Sequence, residues 1–401
     1  AQNAEPRLRS AEQFEWLHCL ENEQSNLRVA CDWAQGHAAS EAGLRLGGAL
    51  WYFCWVRGHW GEWQKRLIAL LARKDESAGA EASAGAYFAA GLLSYALGYP
   101  ETARPLMEKS IARARGIAAE DSHLLAVALV YRAYFEMYHD PCSAREWCEE
   151  SLSLIRASRD DLTTAVALSV KGMLTMQVAD YDTARALLNE SLSLFGQIGD
   201  KRLLGVVHAN LGDILYEENA LAPAQAHRER ALTVFAEIGD KQNRALILSG
   251  LGDIALQNQD YPAARARFAE ALELWEALAN LESVASSLDN LGRVAREGGA
   301  FDAARSAHAR ALTIRVEQKN VGGMILSLHA CACLATARGD SENAVRLWGA
   351  LEKIRAETGS KMSASDQIEY TKYYNIAAGH LDEAAFRRLW AEGQAMSLEQ
   401  A

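Results

Sequence analysis

The sequence predicts an all-α solenoid built from helix-turn-helix units of forty residues, and three rows of residues in fixed register predict it. Seven alanines, Ala144, Ala184, Ala224, Ala264, Ala304, Ala344 and Ala384, stand forty residues apart. Gly172, Gly212, Gly252 and Gly292 precede that row by twelve residues, and Leu152, Leu192, Leu232, Leu272 and Leu312 follow it by eight. A third row reads Asp160, Asp200, Asp240, Asn280, Asn320 and Ser360. Each member of it is a residue type whose side-chain oxygen caps the first turn of a helix. A fixed period on this scale marks a solenoid, in which each unit buries its apolar face only against its neighbours.

The elements follow in order. Residues 1–80 read as a helical region rich in tryptophan, and the alanine-rich stretch 78–90 as a helix with a loose start. From residue 81 onward about eight repeats are expected, by the forty-residue period. Within each, the first helix starts at the cap row and the second just before the alanine row. Gly199, Gly239 and Gly359 sit immediately before three caps, where the preceding helix should end in a left-handed turn. Tyr261, Ala264, Phe268, Ala271, Leu272 and Trp275 recur at helical spacing and make one apolar face of a second helix. The small rows mark close approach of two helices, where a larger side chain would overpack the contact.

Composition narrows the function. Half the residues are hydrophobic and 23% charged, and six prolines suit an all-helical chain. The net charge of −11 opposes phosphate backbones, so nucleic acid is not an expected partner. The local cluster Arg104, Lys109, Arg113 and Arg115 reads as a solvated helix face. No apolar run is long enough to span a membrane and no signal peptide is recognisable. With seven cysteines, an odd number, this predicts a reducing cytoplasmic setting. Cys331 and Cys333 have the wrong spacing for a zinc knuckle and read as core, as do Cys142 and Cys148. The phosphate loop, HExxH, GxSxG and GxGxxG signatures are missing, and the ten histidines show no metal-ligand partner three or four residues on. No catalytic residue, metal or cofactor is therefore expected.

The repeats LGDIALQNQDYPAARARFAEAL and LGRVAREGGAFDAARSAHARAL resemble the tetratricopeptide repeat, lengthened here from its usual 34 residues or so. That resemblance implies a right-handed superhelix. The segment Trp16 to Ala34, the Trp-rich LWYFCWVRGHWGEWQKRL and the closing LDEAAFRRLWAEGQAMSLEQA are similar to the C-terminal arm of bacterial STAND-class signal-transduction ATPases. Those include LuxR-type and AfsR-like transcriptional regulators. The family's nucleotide-binding and helix-turn-helix parts have no counterpart in this sequence. What the resemblance implies is a sensor arm that recognises an inducer small molecule or a regulatory protein or peptide. It would gate an ATPase module upstream in the same parent chain, of which this sequence, starting without methionine, would be a piece. The rival expectation is a pure scaffold that docks a partner's helix or peptide.

In the tetratricopeptide pattern the first helices line a concave groove. Positions one, four and five after the glycine row, or its equivalent, should face it: Met173, Met176, Gln177, Asp213, Tyr216, Glu217, Asp253, Leu256, Gln257, Arg293, Arg296 and Glu297. Asp289 and His329 fall on the same face. Asn210 and Asn290, at one repeat position, suit either a ligand's backbone or a bond between helices. Trp51, Trp55, Trp60 and Trp63 exceed what one helix pair buries on a single stripe. They read as core together with a docking face for the absent upstream domain, as an aromatic pocket, or as a homodimer contact if left bare.

Overall fold

The computed structural model describes all residues except 2, 38–39, 74–78, 118–121, 157–159, 361, 363, 398–399 and 401, and the side chains of 364–365. Residue 78, the expected loose start of the alanine-rich helix, lies outside the described residues. Among those described there is helix and no strand. After a 3-10 turn at Arg7–Arg9 come α1 (Gln13–Asn22), α2 (Gln24–Gly36), α3 (Ser40–Ala49), α4 (Trp51–Arg57) and α5 (Trp60–Leu71). Eight helix pairs follow. They are α6 (Ala80–Ala96) with α7 (Pro100–Arg115), α8 (His123–Glu136) with α9 (Pro141–Ile155), α10 (Asp161–Met176) with α11 (Tyr181–Ile198), and α12 (Lys201–Glu217) with α13 (Leu221–Ile238). The later four are α14 (Lys241–Gln257) with α15 (Tyr261–Ala277), α16 (Leu281–Glu297) with α17 (Phe301–Glu317), α18 (Val321–Ala337) with α19 (Ser341–Thr358), and α20 (Ala364–Gly379) with α21 (Glu383–Ala395). This is the expected α-solenoid of tetratricopeptide-like repeats.

The rows do the work their chemistry predicts. Asp160, Asp200, Asp240, Asn280 and Asn320 each accept the backbone N–H three residues on, capping the first helices. Ser360 differs: α20 starts only at Ala364, and the Ser360 N–H closes α19 by donating to the Arg355 carbonyl at 3.2 Å. The second helices carry caps that the reading passed over, Asp140, Asp180, Asp260, Asp340 and Asp382. All seven alanines of the row except Ala384 are fully buried where paired helices cross. A Cβ placed on Gly252 would sit 2.7 Å from the Phe268 ring, so the glycine row is a row of close approach.

Contacts divide the chain into two compact units, Ala1–Leu251 and Gly252–Ala401. In the first, α6 packs on α3 and α5, so the helices before residue 80 are tied to the first repeat. One of its core clusters runs from Ala126 to Ile214 through Val170, Leu188, Phe195 and Val207. In the second unit Phe268 and Val294 centre one cluster, and Trp348, Leu328 and Leu389 another. No described helix is long and apolar enough to cross a membrane. Cys148 and Cys333 are buried as expected, whereas Cys142, in the first turn of α9, is exposed.

Candidate functional site

In the first unit the N-terminal helices cover the first-helix face of the repeats. Trp51 stands edge-on to Phe88 and Tyr131, with ring centroids 5.3 and 5.4 Å away, and Trp55 edge-on to Phe135 at 5.7 Å. Trp60 donates its indole N–H to the Trp55 carbonyl at 3.0 Å. Trp51, Trp55, Trp60 and Trp63 are all buried, at 5% exposure or less. They are not a bare docking or dimerisation face, because α6 and α8 supply the second surface that one helix pair lacks. The segment is also pinned by polar bonds. Gln13 Nε2 donates to Asp200 Oδ1 at 2.9 Å, to the Leu8 carbonyl at 2.8 Å and to Tyr52 Oη at 3.1 Å. Asp200 therefore caps α12 and anchors the N-terminus together. Burial raises its carboxyl above the ordinary value and pushes the Tyr52 phenol up as well.

That cover decides where several expected groove residues go. Met173 and Met176 pack against the core, and Met173 lines a small space of about 60 Å³ with Trp51, Trp55 and Tyr134. Gln177 is exposed and donates to the Met137 carbonyl at 3.1 Å. Asp213 is the counter-ion of Arg228, a buried arginine at the repeat position held by Phe268 in another unit. Arg228 also donates to the Gly250 carbonyl at 2.6 Å and lies 5.0 Å from the Tyr216 ring. Glu217 stays exposed. Asn210 donates to Ser169 Oγ at 3.3 Å, a bond between neighbouring first helices.

In the second unit several of the expected residues form internal polar networks. Asp289 faces His308 Nδ1 at 2.8 Å and pairs with Arg315, and both partners are 1% exposed. Arg315 is further held by Glu282 at 3.0 Å and by Ser327 at 2.7 Å. Arg296, 3% exposed, pairs with Glu369 of α20, while Glu297 accepts from the Tyr373 hydroxyl at 2.7 Å. His329 Nε2 lies 3.3 Å from the other Glu369 oxygen. Arg296, Glu297 and His329 thus lock α16 and α18 to α20 and do not stand open to a ligand. Burial raises the Glu369 carboxyl, but His329 and Arg296 outweigh it and hold it at about 2.

His329 and Cys333, four apart on α18, also contradict the sequence reading that no histidine has such a partner. With Glu369 their ligand atoms lie within 4.8 Å of one another. The set suits a cation poorly. Arg296 already neutralises Glu369, and burial pushes the Cys333 thiol well above its ordinary value, so the thiolate a metal needs is disfavoured.

In the second unit Asp253 and Arg293, on successive first helices, pair with each other with side chains 33% and 34% exposed, while Asp213, at 46%, and Glu217 stay exposed in the first. Arg293 bonds Asp253 through Nη2, while its Nε has no hydrogen-bond partner. Leu256 is half-buried and Gln257 exposed beside them on α14. No signal in the sequence separated this pair from Arg296 and Asp289, because all four fit one periodic template.

Comparison with known proteins agrees with this architecture. Residues 243–316 match the tetratricopeptide repeat family, the stretch that carries Asp253 and Arg293. No curated protein sequence matches the chain. Among solved structures it is similar to a Rap protein complexed with Competence and Sporulation Factor, at 12% identity and TM-score 0.56, over 88% of this chain and 99% of that one. It is also similar to a Signal Transduction ATPase with Numerous Domains (STAND) protein with a tetratricopeptide repeat sensor from Pyrococcus horikoshii, at 15% identity and TM-score 0.55. That match covers 82% of this chain and 52% of the STAND protein. Aspartyl phosphate phosphatase F from Bacillus subtilis matches at 13% identity and TM-score 0.52, over 89% of this chain and 95% of that one. These likenesses show the fold. The matched family is a repeat scaffold of the protein-interaction kind, not a catalytic one.

Proposed function

We propose that this chain is the non-catalytic recognition domain of a bacterial signal-transduction regulator, which binds a regulatory protein or peptide and gates an ATPase module. The observation that carries the reading is the half-exposed Asp253–Arg293 pair within the tetratricopeptide match. Arg293 and Asp253 present a partly exposed cation and anion, and Gln257 is exposed on the helix that carries Asp253. A peptide crossing this face would find a cation and an anion one repeat apart. The likeness to a STAND protein with a repeat sensor supports the regulator part of the reading.

Binding gates a second module only through different affinity for its two states. Arg293→Glu would place two like charges together on the face and is expected to abolish the response of a regulator carrying this chain. Helix content should not change, since the side chain is a third exposed. An unaltered response in a folded Arg293→Glu protein would remove the reading. A scaffold without sensing is the second reading, favoured by the match being to an interaction repeat alone. It predicts partner binding that persists with no effect on ATP turnover.

A further inference from the structure

A separate cavity of about 450 Å³ opens in the first unit between the N-terminal segment, α3, α4, α6 and α8. That volume falls in the range of small-molecule sites, about 300–1,000 Å³. One wall is apolar, made by Trp51, Phe88 and Val127. Its charged and titratable groups are of both signs, Arg9, Arg45 and His123 with Glu5 and Glu81, and Arg45 is already paired with Glu41 and His123 with Asp160.

Arg9 is the unusual member. It is only 8% exposed, its Nε has no hydrogen-bond partner, and no salt bridge to it exists among the described residues. Its guanidinium rests instead on the rings of Trp51 and Tyr52, with centroids 5.3 and 5.6 Å away. A buried cation is costly unless an anion meets it, and aromatic faces compensate only part of that cost. Burial raises the carboxyl of Glu5 against the charges of Arg9 and His123, which lower it, and the charge of Glu81 adds to the rise. With Arg45 and His123 engaged by Glu41 and Asp160, Glu5 and Glu81 are the carboxylates left to meet a ligand's cation.

We propose that this cavity binds a small zwitterion with an apolar side chain, its carboxylate on Arg9, its ammonium on Glu5 and Glu81, and its side chain against Trp51 and Phe88. A large apolar amino acid and a short apolar peptide both have this chemistry. The inference deepens the sensor reading by naming an inducer class. Binding is read on the chain alone, so its failure leaves partner docking at Asp253 and Arg293 untouched.

Gly85 supplies the cleanest test. It lines the cavity from within α6, and a Cβ on it would meet nothing within 4 Å. Gly85→Leu therefore starts from an unobstructed Cβ, adds bulk to the cavity wall and supplies a better helix former. The whole chain is titrated calorimetrically with L-leucine, L-phenylalanine and the dipeptide of the two. N-acetyl-L-phenylalanine and L-phenylalaninamide, each lacking one charge, serve as comparisons. At least one zwitterion is expected to bind with Kd at or below about 1 mM, with the comparison compounds at least about tenfold weaker. Which zwitterion binds identifies amino acid or peptide as the source. Gly85→Leu should abolish binding with circular dichroism unchanged and melting not lowered, and Arg9→Gln should erase the preference for acid over amide. No heat from any zwitterion at about 10 mM overturns the proposal. Equal affinity for acid and amide, or full binding by a folded Gly85→Leu chain, does so as well. Should Arg9→Gln fail to fold, the Gly85→Leu result decides.

Discussion

Ala279 and Lys319 sit at helix ends with φ of +55°, where glycines occupy the equivalent positions Gly199, Gly239 and Gly359. Ala179, Asn219 and Gln259 have φ near +60° at the other turn of the repeat. The left-handed region costs a residue with a Cβ roughly 1–2 kcal/mol, against which glycine's greater freedom when unfolded takes back part. Ala279→Gly is therefore expected to stabilise the chain by about 0.5–1 kcal/mol, read as a higher urea midpoint at unchanged slope. The reverse logic applies at Gly252. Its added Cβ would stand 2.7 Å from Phe268, a fully buried ring, so Gly252→Ala should destabilise by about 1–3 kcal/mol. A melting temperature within a degree of the parent would contradict that packing. The small-residue rows were legible in the sequence because sterics leave few choices at a close crossing. Arg228 and His308 were not, since they occupy the position of Phe268 and Leu188 with partners that no periodicity announces.

At the scale of elements, one carboxylate, Glu369, joins α20 to both α16 and α18, beside the separate Tyr373–Glu297 bond. Glu369 is held at about 2 by His329 and Arg296 against the effect of burial. A folded value below the unfolded one means that its stabilisation is present above the ordinary value of 4.5. It is lost as pH falls through the window from 4.5 to about 2. The contribution is on the order of 2–3 kcal/mol at neutral pH. Glu369→Gln should remove that acid-dependent step and lower stability at pH 7, as followed by denaturant titrations at several pH values. An identical pH profile for variant and parent would show that the carboxylate does not carry the tie. The helices themselves were readable from caps and apolar spacing. Their polar cross-links were not, because Arg296 and Glu369 lie 73 residues apart and no spacing rule joins them.

For the molecule as a whole, the repeat class was legible from a period, and the division at Leu251 was not. Nothing in composition changes there: α14 continues through it as one helix. The tryptophans of α4 and α5 misled for a related reason. A sequence shows that one helix pair has too many indoles for its own stripe, but only the fold shows α6 and α8 closing over them. In the first unit the chain's own N-terminus packs on part of the face expected to be open, and in the second Asp253 and Arg293 form a partly exposed ion pair. Partner recognition at that pair is the central claim. It is tested most directly by native mass spectrometry of the chain and of Arg293→Glu after incubation with a lysate of the host. The account predicts a peptide- or protein-sized adduct on the parent chain that the variant, folded by circular dichroism, fails to retain. An adduct of the same mass and abundance on both proteins would contradict it.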